Sequence, residues 1–332
     1  MNAPAPALDR PFLVADPAAL RRRIAGLDGA WLRRWQRFCA ETRAERRSVK
    51  WYAGGAAGDV PLHAALIALA TGDPEFIAIA RRDLAWLADR YEETLAIGNQ
   101  DMDTWMYAAP MARRAIACDW LWPWLSPEER ARYAELFVRD SLRYPYVVLH
   151  HRTPPHANNQ GAAQALNLVA VGCIFGLRRG DDPRARHLLA TGLPHLLEQV
   201  ALLPPDAYAG EGSTYEVSVA APLMALCCAV AEAATGADLF DRALAPSGNT
   251  FAQALGLSPR LVPPSQVLPG WDQHGYHLAK PGTTLAYLAQ RSGDARWYGS
   301  VAGGDGWRLG GGFAWLKDDH VWQWLWMPDP AQ

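Results

Sequence analysis

The chain has little of what marks several large classes of protein. A basic excess is missing: 32 Lys and Arg stand against 34 Asp and Glu, a formal net charge of -2. No clustered basic stripe offsets that balance, which argues against an electrostatic grip on nucleic acid or on an anionic membrane. Long uninterrupted apolar runs are missing too. The longest, around Val219 to Ala234, contains Pro222 and Glu232 and is interleaved with small residues, so no segment reads as a membrane span. The opening MNAPAPALDRP lacks the basic start and apolar core of a secretory signal. A signal removed and replaced by a new start Met would leave the same text, so the compartment stays open: periplasmic or secreted in that case, cytoplasmic otherwise. Cysteines are few, and Cys39, Cys118, Cys173, Cys227 and Cys228 lie in apolar helical text without metal-type spacing. Their odd number predicts free buried thiols rather than a disulfide framework. Period-two alternation with clustered β-branched residues is absent until the last third, which leaves little room for sheet.

What is present is helix. With 332 residues, half of them hydrophobic and a fifth charged, the chain suffices for one large core or two ordinary domains. Residues 1–15 read as an extended, Pro-rich lead-in. From Asp16, with Pro17 at the first helical position, Leu20, Ile24, Leu27, Trp31, Leu32, Trp35 and Phe38 recur at helical intervals, with a break near Gly26 to Gly29. Further patterns predict helices at 61–71, 74–91, 104–122, 127–150, 161–177, 183–203, 222–235 and 239–255, and a short one at 313–326. Residues 256–282 are rich in Pro and Gly, and 303–312 is loop. The domain reading is a lead-in at 1–15, a helical domain at 16–302, and a Gly-rich loop, short helix and linker-like end at 303–332. The 15 Trp would either line a groove for ring-shaped ligands or fill the core, and core packing accounts for most of them.

The strings TGDPEF from Thr71, RGDDPRA from Arg179, TGADLFD from Thr235 and SGDARW from Ser292 share one design. Gly takes the left-handed stop of one helix and Asp caps the start of the next. A joint repeated in this way predicts stacked antiparallel helix pairs. Uneven spacing favours a closed or incomplete ring of pairs, an α/α toroid, over a regular solenoid.

Three polar patches interrupt this apolar text. In PPHANNQGAAQALNLVAVG, from Pro154, the residues His156, Asn158, Asn159 and Gln160 precede an almost wholly apolar helix. One Asn is explained as an N-cap; four polar residues in a row are not, and the patch is either an elaborate cap or the floor of a site. In PPDAYAGEGSTYEVS, from Pro204, two glycines bracket Glu211, and Tyr215 follows just before the helix around Pro222. The bland alternative is a capping carboxylate and a half-buried ring. In LPGWDQHGYH, from Leu268, a loop carries Trp271, Asp272, His274 and His277, without the third spaced ligand that a metal site needs. The stretch 99–114 adds Asp101, Asp103, Trp105, Tyr107 and Arg113 around another helix start. Trp105 and Tyr107 suit stacking on sugar rings, and Arg113 suits a carboxylate.

The order of a helical-repeat first half, an Asn-Asn-Gln-Gly approach to an apolar helix, and a downstream Glu-Gly-(x)n-Tyr approach to the next resembles the heparinase II/III and alginate lyase group of polysaccharide lyases. The closing WLWMPDP is similar to the end of their toroid domain, so the resemblance spans roughly residues 15–330. It implies an α/α toroid that precedes a C-terminal antiparallel β-sandwich domain, absent from this chain. It also implies β-elimination on an acidic, uronate-containing polysaccharide without a cofactor or metal. Asn159 falls where the family neutralises the uronate carboxylate, and Tyr215 where it moves the proton, with Glu211 as motif partner. Gln160 stands where the family has His, which leaves Tyr215 and a histidine from elsewhere, such as His274. The remaining substrate contacts would come from Trp105, Tyr107, Arg113, His156, Asn158, Trp271 and Asp272.

The chemistry has its own logic. Removing the C5 proton of a uronate builds negative charge beside a carboxylate, so amide donors such as Asn159 and Gln160 must first neutralise that carboxylate. A base near C5 and an acid for the leaving oxygen complete the need, and one tyrosine can serve both in a syn elimination. Two other readings stay open. One is a glycoside hydrolase on the same helical scaffold, drawing on Asp101, Asp103, Glu211 and Asp272; the other is a carbohydrate-binding helical domain without activity.

Overall fold

The computed structural model describes residues 10–44, 59–90, 105–151, 159–203, 220–261, 267–268, 277–278, 282–294 and 319–327. These residues are mostly helical, in keeping with the all-α expectation. Twelve α-helices occur among them: α1 (Pro17–Ala25), α2 (Gly29–Ala44), α3 (Asp59–Thr71), α4 (Pro74–Asp89), α5 (Trp105–Leu121), α6 (Pro127–His151), α7 (Asn159–Cys173), α8 (Pro183–Ala201), α9 (Ala221–Thr235), α10 (Phe251–Leu261), α11 (Gly282–Ser292) and α12 (Asp319–Trp326). Among the described residues, strands are confined to one antiparallel pair, β1 (Val267–Leu268) with β2 (His277–Leu278).

Local chemistry sets the helix ends. Asp16 caps α1 by accepting from the N–H groups of Ala18 and Ala19, with Pro17 in the first turn. Ser126 and Glu129 form a reciprocal capping box at the start of α6, Ser126 N–H donating to Glu129 at 2.7 Å and Glu129 N–H to Ser126 Oγ at 3.2 Å. Three of the four repeated joints share one hydrogen-bond pattern. Thr71, Thr235 and Ser292 each donate a hydroxyl to the carbonyl four residues back, at 2.7, 2.8 and 2.7 Å. Each also accepts the N–H two residues on, from Asp73, Ala237 and Asp294. Between them Gly72, Gly236 and Gly293 take the left-handed conformation with φ near 70°. The fourth joint departs because Arg179 occupies the hydroxyl position, and there a short π-helical stretch, Ile174–Arg178, ends the helix.

One predicted helix is displaced. Residues 239–250 are turns closed by a bridge between Leu244 and Asn249, and the helix begins only at Phe251. Thr250 and Gln253 cap it reciprocally, at 2.9 and 3.1 Å. The apolar residues that suggested a helix from Leu239, namely Leu239, Phe240 and Leu244, are buried by tertiary packing of the turn.

Packing separates two kinds of helix. Helices α3, α5, α7 and α9 are buried around most of their circumference, whereas α4, α6 and α8 bury one face. Contacts run from α3 to α5, α7, α9, α11 and α12, and α12 returns to α3. The remaining helices pack outside that succession, α4 on α3, α6 and α8 on α7, α10 on α9, and α1 with α2 on α3. The stretch Gly161–Arg178 is long and apolar enough to cross a bilayer, against the expectation that no segment is, but 89% of it is buried inside the protein. Its apolarity serves the core.

Much of the tryptophan serves the place where the two ends of the chain meet. Trp324 of α12 meets Trp35 of α2 edge-on at 5.1 Å and Trp31 at 6.0 Å, while Trp322 meets Trp120 at 6.2 Å and stacks with Trp326 at 5.6 Å. Arg23 of α1 fastens this seam by donating to the carbonyls of Met327, Trp324 and Leu325 at 2.6, 2.8 and 3.1 Å. All five cysteines are free, four of them buried.

The lead-in is anchored as well. The Phe12 N–H donates to Asp119 at 2.6 Å, and its carbonyl accepts from Trp120 Nε1 at 2.7 Å. Asp119 also pairs with Arg179 at 2.7 Å, with its own side chain fully buried. Burial pushes the Asp119 carboxyl up, and Arg179 opposes that shift. Replacing Asp119 by Ala strands a guanidinium and a buried N–H, and is expected to cost about 3–5 kcal/mol in urea unfolding. Amide exchange at Phe12 should accelerate in the same variant; an unchanged midpoint with unchanged exchange would show that the clamp carries no energy.

Candidate functional site

The ends of the buried helices place the candidate residues. Asp119, two residues before the end of α5, meets Arg179, just beyond the π-helical continuation of α7. The C-terminal ends of α5 and α7 therefore lie together, and these neighbouring helices run parallel. Near the C-termini of α9 and α11, Glu232 pairs with Arg291 at 2.6 Å, and Tyr287 of α11 packs against Trp326 of α12 with ring centroids 4.7 Å apart. Helix α1 touches the end of α3, where Arg21 donates to the Leu69 carbonyl at 3.0 Å, as well as the end of α12 through Arg23. One end of the protein thus gathers the C-termini of the buried helices beneath the lead-in. Their N-termini lie at the opposite end; for α7, 15 residues long, that is about 22 Å away at 1.5 Å per residue.

That opposite end carries predicted site residues. Asn159 and Gln160 form the first turn of α7, and Trp105 and Tyr107 the first turn of its parallel neighbour α5. Parallel helix N-termini direct backbone N–H groups and positive dipole ends the same way, which favours an anionic ligand there. Arg113 sits two turns further along α5 and is buried, with 7% exposure. The β1–β2 ladder pairs Leu268 with His277, the two residues that flank the stretch bearing Trp271, Asp272 and His274 in the sequence. β2 ends four residues before α11, which holds it within about 14 Å of that helix's N-terminus. His156, Asn158, Glu211, Tyr215, Trp271, Asp272 and His274 themselves lie outside the described residues.

Of the buried polar groups behind this end, sequence reasoning found Arg113 of α5 and missed the others. His63 of α3, Arg114 of α5, Gln164 and Asn167 of α7, and Thr283 and Thr284 of α11 are, like Arg113, buried in the N-terminal or middle parts of their helices. In the last third of these helices, the one buried polar side chain among the described residues is Asp119. Gln160, Gln164 and Asn167 recur at positions i, i+4 and i+7 in the sequence, and the described pair, Gln164 and Asn167, makes a buried polar stripe along one face of α7. At its foot Asn167 donates to Ser141 Oγ of α6 at 3.1 Å. Gln164 is 5% exposed, and its amide finds no hydrogen-bond partner among the described residues. The i, i+4, i+7 spacing was the available signal. No protein-family model and no curated protein matches the chain, so the functional reading rests on these residues.

Proposed function

We propose that the chain is the helical domain of a polysaccharide lyase, an α/α toroid that cleaves a uronate-containing polymer by β-elimination. In this reading the succession α3, α5, α7, α9, α11 and α12 is the inner ring, and the outer helices wrap it. The observation that carries the reading is the gathering of Asn159, Gln160, Trp105 and Tyr107 on two parallel, adjacent helix starts, opposite the end that the lead-in covers. Tyr215 precedes α9 by six residues, so chain connectivity holds it within about 20 Å of a third N-terminus on that side.

The roles follow from charge. The Asn159 amide, assisted by the helix N-terminus, neutralises the uronate carboxylate and acidifies the C5 proton. Tyr215, deprotonated, removes that proton. Electrons of the C5–H bond form the C4–C5 double bond, the C4–O bond breaks, and the same tyrosine returns its proton to the leaving oxygen. Trp105 and Tyr107 stack on the sugar rings and hold the chain in register. Gln160 supplies a second amide donor where the resembled family places His.

The test is absorbance. Incubating the protein with a panel of uronate polymers should generate the ultraviolet band of the unsaturated product. New saturated reducing ends without that band would transfer the reading to a hydrolase, and binding without either product would reduce it to a carbohydrate-binding domain.

A further inference from the structure

The covered end holds a cavity of about 630 Å³ between the lead-in, the π-helical stretch after α7, and the C-terminal parts of α9, α11 and α12. It lies on the far side from the candidate site, so the inference is independent of the polysaccharide reading. One wall is charged but internally satisfied: Arg291 bonds Glu232 and Asp238, each at 2.6 Å. The other wall is not. Arg178 uses one of its N–H groups on the Arg10 carbonyl and lies over the Phe12 ring at 5.6 Å, and its buried Nε has no hydrogen-bond partner among the described residues. Arg10 donates to the Ala15 carbonyl. Neither guanidinium has a carboxylate at ion-pair distance among the described residues. Three arginines against two carboxylates leave one positive charge in excess over the lining. Between the charged walls the surface is apolar, formed by Val14, Ala233 and Trp326.

A half-buried guanidinium in a concave site is matched by a bidentate carboxylate. A single excess charge suits one carboxylate better than a phosphate dianion, and the apolar floor suits a non-polar body. We propose that this cavity binds a monocarboxylate carrying an apolar body, its carboxylate on Arg178 and Arg10 and its body against Val14, Ala233 and Trp326.

Benzoate is the probe, titrated calorimetrically into the full chain beside benzyl alcohol and inorganic phosphate. Benzoate should bind saturably at about millimolar concentration, with the other two weaker by tenfold or more. Arg178→Gln should weaken benzoate at least about tenfold, the loss of one charge-assisted pair. Because Arg178 also helps anchor the lead-in, Ala233→Phe supplies the second arm: it fills the cavity floor, keeps every charge, and should weaken benzoate equally. Tyr215→Phe should leave it unchanged. Undiminished benzoate affinity in Ala233→Phe, no saturable binding by the parent, or phosphate binding tighter than benzoate would each overturn the proposal.

Discussion

Gly172→Ala is expected to cost at least about 3 kcal/mol in equilibrium unfolding, despite adding a better helix former. A Cβ on Gly172 would lie 2.5 Å from the Leu189 N, 2.7 Å from the Ala185 O and 2.8 Å from the Leu189 Cα, all of them backbone atoms of α8. None of these can rotate away, so the two helices must separate. Gly176 and Gly192 have the same close approach, to Arg186 N at 2.8 Å and to Leu168 Cβ at 2.5 Å, so α7 and α8 are in contact along most of their length. Separation would open the core along that seam and lose dispersion contacts at every level. Ala against Gly in a helix interior returns only about 1 kcal/mol. Gly256, within α10, is the control: nothing stands within 4 Å of its added Cβ, and Gly256→Ala should stabilise by about 0.5–1 kcal/mol. Equal unfolding midpoints for the two variants would refute the close-packing argument.

Tyr215→Phe is expected to lower turnover on a responsive uronate polymer about 10³-fold, and Asn159→Ala about 10²- to 10³-fold, with melting temperatures close to the parent's. Phenylalanine keeps the ring and removes the group that would accept and return the proton. Losing Asn159 removes charge neutralisation at the stage where negative charge develops, so kcat should fall more than KM rises. Retention of full turnover by Tyr215→Phe would eliminate the syn mechanism and leave a histidine such as His274 to be tried as the base. Retention by both variants would remove the lyase reading altogether.

The helical class was legible in the sequence because its punctuation is chemical. Thr71-Gly72-Asp73 and Ser292-Gly293-Asp294 fix a helix stop through bonds that reach no further than four residues back and two residues on, so no distant partner was needed to read them. The misplacement of α10 has the opposite cause. Leu239, Phe240 and Leu244 are apolar because other parts of the chain cover them, and spacing alone does not separate a buried turn from a helix face. The local signal that does separate them, Thr250 with Gln253, was present as a capping box. At the candidate site, the first turns of α5 and α7 were legible as polar mouths on apolar helices. Their side-by-side parallel placement was not, since it depends on Asp119 meeting Arg179, 60 residues apart in the chain. The Gln164–Asn167 stripe was visible as letters, but its burial is a property of the packed helices.

The fastening of α1 to α12 has a consequence for synthesis on the ribosome. Trp31, Trp35 and Arg23 leave the exit tunnel first among the described helices, yet their partners Trp324 and Met327 lie about 300 residues downstream. At typical elongation rates the early helices wait for roughly 15–60 s before those partners arrive. Throughout that interval the tryptophan face of α2 and the succession of buried helices have no closing member. The nascent chain is therefore a natural client for chaperones that shield aromatic surface until α12 emerges.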